Sequence, residues 1–165
     1  MLKKVFLTLL AALSAVGGWA DLKQDPKGNY LIGTPEDLCE FSAIVRSGQS
    51  RINALLTADI DMSSVENFMP IGLFADSGGP QQSYNGTFDG NGHVIRNLTV
   101  TREDESEVGL IGRGVSCTVQ NLGVINAKMT SKAQIETESG VTGVRAGVIG
   151  GELASCVVRN CFFSW

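Results

Sequence analysis

The chain has 165 residues, with 13 Lys and Arg against 17 Asp and Glu, so its formal net charge is −4. That length suits one domain, and the acidic balance excludes a nucleic-acid binder that relies on phosphate contacts. Hydrophobic residues make up 43% of the chain, which excludes disorder throughout. The 20 glycines indicate a chain with many tight turns.

The first twenty residues have the pattern of an export signal. Lys3 and Lys4 precede the apolar run Val5–Val16, and Gly18 and Ala20 precede Asp21 at the positions where signal peptidase requires small residues. The run is shorter than the roughly 20 residues that a membrane-spanning helix needs. We therefore expect a cleaved signal peptide over 1–20. The product is expected to be secreted, extracellular or on the cell surface, with no transmembrane segment and a net charge of −6.

Residues 34–48 predict a helix. Thr34 is a favourable N-cap, Pro35 suits the first helical position and Gly48 suits the position after the last turn. One apolar stripe repeats at helical spacing and consists of Leu38, Phe41, Ile44 and Val45. These features predict a helix over about 35–47, within an N-terminal cap that spans 21–53.

Three later segments resemble one another. They are Val94–Val100, Thr118–Val124 and Val157–Phe163, and each contains an asparagine: Asn97, Asn121 and Asn160. A glycine followed by two apolar or β-prone residues precedes each segment, at Gly86, Gly109 and Gly147. Such short units cannot bury their apolar side chains alone, so the repeat predicts stacked units with glycine and asparagine at the corners. We expect the asparagine amides to pair from one unit to the next.

These observations predict an all-β fold, a right-handed parallel β-solenoid over 54–165 with the helix capping its first unit. A polar stretch at about 130–142 is predicted to be a loop insertion. Four residues would lie near an open edge at the other end: Cys161, Phe162, Phe163 and Trp165. A fold that is truncated there, or one that is completed by a partner pairing with this uncapped edge, is therefore expected.

Two cysteines occupy equivalent positions of the repeat. Cys117 and Cys156 are 39 residues apart, the same interval that separates Asn121 from Asn160. Stacked strands bring such residues within reach of a disulfide, and an oxidising compartment permits one. A pair of buried free thiols is the alternative that the sequence favours. Cys39 lies near the apolar stripe of the helix and is expected in the core.

The chain resembles the GLUG-repeat secreted and surface proteins. The resemblance lies in YLIGTPEDLCEFSAIV, LTADIDM, MPIG, YNGTFDGNGHVIRNLTV, EVGLIGRG and VQNLGVINA, and covers nearly all of 30–163. Similar patterns occur in bacterial adhesins and in the N-terminal region of IgA-specific metallopeptidases. The resemblance implies a bacterial surface β-solenoid, often part of a larger protein. The zinc-binding HExxH segment of the metallopeptidase does not occur in this sequence, so that activity is not carried over.

The sequence contains few groups suited to catalysis. His93 is the single histidine and lies in a glycine-rich turn, which argues against a catalytic triad or a zinc site. Three acids are the candidates for polysaccharide chemistry or calcium binding: Asp59, Asp61 and Asp89. We interpret them as turn and strand-end residues, and we expect no catalytic residues, no metal and no cofactor.

The sequence therefore favours a non-catalytic binding or adhesion-type module of the cell surface, or the N-terminal fragment of a larger surface protein. Its expected partner is a protein or a glycan, and nucleic acid is not expected. The alternatives are a carbohydrate-active β-helix enzyme that uses Asp59, Asp61 or Asp89, and a structural stalk.

Overall fold

A computed structural model of the protein describes residues 22–73, 82–103, 107–131, 135–137, 140–142 and 144–164. The predicted signal peptide and Trp165 lie outside these residues. The described chain contains one α-helix, α1 (Pro35–Arg46), and a 3-10 helix at Met62–Ser64. Its strands are β1 (Tyr30–Ile32), β2 (Ala54–Leu56), β3 (Ile60–Asp61), β4 (Thr87–Asp89), β5 (Val94–Arg96), β6 (Thr99–Arg102), β7 (Glu107–Val108), β8 (Ile111–Val115), β9 (Thr118–Gln120), β10 (Gly123–Ile125), β11 (Lys128–Ser131), β12 (Ile135–Thr137), β13 (Gly140–Thr142), β14 (Arg145–Ala146), β15 (Gly150–Ala154), β16 (Val157–Arg159) and β17 (Phe162–Ser164).

The strands form parallel sheets, which confirms the prediction of an all-β chain with one short helix. The largest sheet has the order β1-β2-β4-β9-β16, and a second has the order β17-β10-β5-β3. Smaller parallel pairs join β6 to β11, β7 to β14 and β8 to β15. In both large sheets the strands lie in chain order, so each inner strand hydrogen-bonds to its counterparts in an earlier and a later segment.

Helix α1 begins and ends where its sequence predicts. The Thr34 side chain accepts a hydrogen bond from the Asp37 backbone, and the Asp37 carboxylate accepts one from the Thr34 backbone, which completes a capping box. Gly48 has a φ of +108°, a left-handed conformation that glycine adopts without strain. The 12-residue helix lies between β1 and β2 in the sequence and contacts β1.

The helix belongs to the same hydrophobic core as the sheets. Phe41 is fully buried and makes edge-to-face contacts with Tyr30, Tyr84 and Phe88, at centroid separations of 6.0, 5.9 and 6.1 Å. Cys39 is partly buried against this core, as expected, and burial raises the pKa of its thiol. The core continues along the sheets through Ile95, Val119, Val124 and other aliphatic side chains.

The polar stretch predicted as a loop is more regular than the sequence suggests. Its first residues complete β11, which pairs in parallel with β6. Within the rest, β12 and β13 pair in antiparallel register, with Ile135 opposite Thr142. Two neighbouring short strands satisfy each other's backbone hydrogen bonds locally. They are the one antiparallel pair of named strands in the described chain.

Candidate functional site: polar ladders between parallel strands

A row of hydrogen-bonded polar side chains crosses the largest sheet. Asp89 of β4 lies opposite Gln120 of β9, which lies opposite Arg159 of β16. Gln120 Nε2 donates to Asp89 Oδ2 at 2.6 Å, and Arg159 Nε donates to Gln120 Oε1 at 2.9 Å. Beside this row, Asn121 Nδ2 donates to Asp89 Oδ1 at 3.0 Å and Asn160 Nδ2 donates to Asn121 Oδ1 at 2.7 Å. We call these five residues the Asp89 ladder.

A second row, the Asp61 ladder, joins Asp61, Asn97 and Asn126. Asn97 Nδ2 donates to Asp61 Oδ1 at 2.8 Å, and Asn126 Nδ2 donates to Asn97 Oδ1 at 2.6 Å. The structure therefore differs from the simple sequence alignment of the repeats. Asn97 lies in register with Asn126, whereas Asn121 and Asn160 belong to the other ladder. The unit of β9 and β10 has an asparagine at both corners, Asn121 and Asn126, and the sequence pattern alone does not distinguish the two corners.

Left-handed backbone places these asparagines in the ladders. The φ angles of Asn97, Asn121, Asn126 and Asn160 are 57°, 53°, 53° and 52°. Asparagine tolerates this conformation better than most residues, and each of the four follows directly after a strand. The strand ends therefore turn at the same point in successive units, which superimposes the amides.

Both ladders have the same direction. Each starts at an aspartate, and every later asparagine donates its amide to the preceding residue. A carboxylate can only accept hydrogen bonds, so it fixes the orientation of the first amide, and that amide fixes the next. The aspartate thus terminates the ladder without leaving an unsatisfied amide donor.

The carboxylates of both ladders are stabilised in the charged form. The hydrogen bond from Asn97, followed by that from the Ser63 backbone, lowers the pKa of Asp61. Burial raises the pKa of Asp89, but the hydrogen bonds from Gln120 and Asn121 outweigh it, and the net pKa is below its usual value. At neutral pH both groups are acceptors within the ladders.

Asp59 lies in a separate exposed group with His93 and Arg96. Its carboxylate accepts hydrogen bonds from the Val94 backbone at 3.0 Å, Arg96 Nη2 at 2.9 Å and His93 Nδ1 at 3.3 Å. The Val94 contact, followed by the Arg96 contact, lowers the pKa of Asp59. The structure thus brings Asp59 to the single histidine, and it brings Asp61 and Asp89 to separate ladders.

One cluster of charged side chains was not predicted from the sequence. Arg113 of β8 pairs with Glu152 of β15 at 3.0 Å, and Arg145 lies 3.2 Å from Glu107 and 3.5 Å from Glu152. The Glu107 side chain is only 6% exposed. Arg113 and Glu152 are 39 residues apart, the same interval as Cys117 and Cys156, so a search for opposite charges at that interval would have found this pair.

The three repeat glycines allow close approach of neighbouring backbone. A side chain at Gly86 would collide with the Ile52 carbonyl, and one at Gly109 would lie 2.5 Å from the Gly147 carbonyl oxygen. At Gly147 the Gly150 carbonyl oxygen would be equally near. Gly86 and Gly109 therefore serve close packing of successive segments, and Gly147 serves a tight local turn. Positive φ angles occur mainly at asparagines and serines, and also at Gly92 between β4 and β5.

The described residues provide two further observations on ligands and membranes. In that part of the chain no group of three or more His, Cys, Asp and Glu side chains is arranged to hold a metal ion. None of its helices has the length and apolar character required to cross a bilayer.

The fold and the ladders define a class, an all-β protein of parallel sheets held together by side-chain ladders. No protein-family profile matches the chain, so membership of the GLUG-repeat group stays a hypothesis. The chain is 35% identical over 147 residues to halomucin of Haloquadratum walsbyi. This alignment covers 81% of the chain but 2% of halomucin, so the chain corresponds to a small part of that protein.

A solved structure has a similar fold. It belongs to a protein from Bacteroides ovatus described as an immunoglobulin A1 protease, with a TM-score of 0.51 and 22% identity. The match covers 66% of the chain and 29% of that structure. At this identity the likeness concerns the fold alone, and it agrees with the resemblance to IgA-specific peptidases seen in the sequence.

Proposed function

We propose that the chain is a non-catalytic binding module, secreted or attached to the cell surface, and built on a right-handed parallel β-solenoid. In this proposal α1 caps the first unit and the outward side chains of the Asp89 ladder contact the ligand. Whether the chain acts alone or as part of a longer surface protein does not alter the role of this face.

The sheet order supports a solenoid. Strands join each large sheet in the order in which they occur in the chain, and every pairing within these two sheets is parallel. A chain that returns to the same sheet after each unit produces this order, and such parallel crossovers are nearly always right-handed. The two ladders reinforce the stack because each unit hydrogen-bonds to the one before it.

The surface location has two supports. The halomucin match places similar sequence in a protein whose name denotes a mucin, and mucins are extracellular. The sequence of residues 1–20 independently has the features of an export signal. Both favour a module that works outside the cytoplasm.

The Asp89 ladder is the observation on which the binding proposal rests. It presents a carboxylate, amides and a guanidinium in one row, and Gln120 is partly exposed while Arg159 and Asn160 are exposed. Sugar hydroxyls both donate and accept hydrogen bonds, so a row with both kinds of group suits a glycan chain. An extended glycan would lie across the strands and contact successive units.

The arrangement of the acids favours binding over catalysis. Retaining and inverting glycosidases need two carboxyl groups on opposite sides of the scissile bond, one of them with a raised pKa. The pKa values of Asp59, Asp61 and Asp89 are lowered instead. The alternative function, a carbohydrate-active enzyme, would use Asp59, because Asp59 is the one of these three acids that contacts His93.

An array of neutral and acidic glycans, probed with the full exported chain, tests this function. We expect saturable binding to a subset of glycans, which mass spectrometry recovers unchanged after long incubation. Shortened glycans would show that the protein is an enzyme. Absence of binding, together with capture of a single defined surface protein, would show that the ligand is a protein.

We further propose that a β-segment of a second copy of the chain covers the edge formed by β16 and β17. These strands end the two large sheets in the described chain. Val157, Val158 and Phe162 are 51%, 46% and 54% exposed. An exposed apolar edge strand favours strand addition.

A further inference from the structure

Cys117 and Cys156 occupy matching positions in neighbouring units. Each follows a serine in the left-handed conformation, Ser116 with φ 53° and Ser155 with φ 55°, and each precedes a strand of the largest sheet. The following residues, Thr118 and Val157, are paired in the parallel register of β9 and β16. The same backbone turn therefore directs both side chains to the same place.

The two sulfur atoms are already close. Cys117 Sγ and Cys156 Sγ are 2.6 Å apart, less than the sum of two sulfur radii, and both residues are free thiols. A disulfide requires a separation of about 2.05 Å. Closing the remaining gap needs side-chain rotation and a small shift, without rearrangement of the strands.

The surroundings leave room for this pair. A Cβ atom added at Gly114 would lie 2.7 Å from Cys117 Sγ and 3.1 Å from Cys156 Sγ. Glycine at this position of β8 therefore accommodates both sulfurs. Leu153 of β15 packs against the same position, since its Cδ2 would lie 2.9 Å from that Cβ atom.

The two thiols differ in reactivity. Cys117 is 1% exposed, and burial, followed by its contact with Cys156, raises the pKa of its thiol. Cys156 is partly exposed, and its sulfur accepts a hydrogen bond from the Cys117 backbone N–H at 3.2 Å. An oxidant in solution therefore reaches Cys156 before the buried Cys117, so Cys156 is the side chain suited to react first.

We propose that Cys117 and Cys156 form a disulfide that links neighbouring units covalently. The oxidant is a disulfide, either a small molecule or an exchange enzyme. The Cys156 thiolate attacks it, forms a mixed disulfide and releases one thiolate. Cys117 then loses its proton to that thiolate and attacks Cys156 Sγ, which releases the second thiolate. Two thiols lose two electrons and two protons, and the oxidant becomes two thiols.

This inference does not rest on the proposed binding function, because it concerns only the stack and an oxidant. The bond would close a loop of 39 residues, which stabilises mainly by restricting the unfolded chain. A loop of that size corresponds to a rise in Tm of about 10 °C for a domain of this length.

The test uses the full chain with Cys39→Ser and Cys161→Ser, so that only the pair remains. The folded protein is treated with oxidised glutathione, and remaining thiols are alkylated and counted by mass spectrometry. We expect no disulfide between molecules, no alkylated thiol and a mass lower by two hydrogen atoms. Reductant should lower its Tm by about 10 °C.

Cys156→Ser in the same background is the matched control, because it changes the partly exposed partner and leaves Cys117 buried. Its Tm should not respond to reductant. Two alkylated thiols in the oxidised protein, a stable glutathione adduct on Cys156, or a disulfide between two molecules would each overturn the proposal. These results leave the glycan experiment unaffected, so the two proposals fail separately.

Discussion

Phe41 provides the sharpest test of whether α1 and the sheets share one core. Its ring is fully buried and contacts the edges or faces of three aromatic rings, from β1, β4 and the segment before β4. Phe41→Ala removes the ring and leaves a cavity, a change that typically costs 3–5 kcal/mol in measured cores. The three aromatic contacts place this site toward the middle of that range or above.

We expect Phe41→Ala to lower the free energy of unfolding by about 4 kcal/mol. With a urea slope of about 2 kcal/mol per M, the unfolding midpoint falls by about 2 M. The measurement is equilibrium urea denaturation of the full chain, followed by circular dichroism for the strands and by tyrosine fluorescence near the helix. Both signals should shift together, because a shared core unfolds as one unit.

Phe162→Ala is the matched control. Phe162 is the same residue type but is 54% exposed, so its removal should change stability by about 0.5 kcal/mol or less. A midpoint for Phe41→Ala within the error of wild type would refute a common core. A separate early transition of the helix signal would refute it as well.

Three further variants test the ladder, the core and the edge. The pKa of Asp89 is lowered in the folded protein, so its carboxylate stabilises the fold above the unfolded-state pKa of about 3.9, and this stabilisation is lost as pH falls through the lower folded pKa. Asp89→Asn should therefore destabilise the protein by about 1–2 kcal/mol at pH 7 and flatten its acid-unfolding curve. An unchanged curve would exclude the Asp89 charge as a cause of acid unfolding. Tyr84 Oη is buried and has no hydrogen-bond partner among the described residues, so Tyr84→Phe should match or exceed wild-type stability in thermal melts. A loss above about 1 kcal/mol would reveal a partner for this hydroxyl. Val158→Lys adds charge to the exposed edge and should abolish the concentration-dependent association that we expect for wild type in sedimentation experiments, whereas a wild-type monomer at high concentration would remove the evidence for edge pairing.

Local features of the sequence predict local structure well. The bounds of α1 follow from Thr34, Pro35 and Gly48, because capping and helix-stop preferences act within a few residues. The equivalence of Cys117 and Cys156 follows from a repeat interval, and the structure places the two sulfurs in contact.

Register between units depends on distant contacts, which the sequence does not specify uniquely. Asn97 and Asn121 sit in similar heptapeptides, yet the structure pairs Asn97 with Asn126. Each unit turns twice, and both turns favour asparagine for the same conformational reason. The β12–β13 pair lies in the stretch that was predicted as a loop insertion, because the polar composition of this stretch hides the pairing of two short strands.

The candidate site was predicted only in part. Asp59, Asp61 and Asp89 were identified as acids, but their side-chain partners were not, because those partners lie 31 to 37 residues away along the chain. No sequence pattern around Arg159 or Gln120 marks either residue as part of a site. Their role becomes visible only when the parallel register places them beside Asp89.

The most direct test of the account compares Arg159→Ala with Arg96→Ala in glycan titrations. Both arginines are accessible, but Arg159 belongs to the Asp89 ladder and Arg96 to the Asp59 group on the other large sheet. For the glycan bound best by wild type, calorimetry should show about tenfold weaker binding for Arg159→Ala, as expected for one charged hydrogen bond. Arg96→Ala should bind as wild type does. Unchanged binding by Arg159→Ala, or a loss confined to Arg96→Ala, would contradict the assignment of the Asp89 ladder as the binding surface.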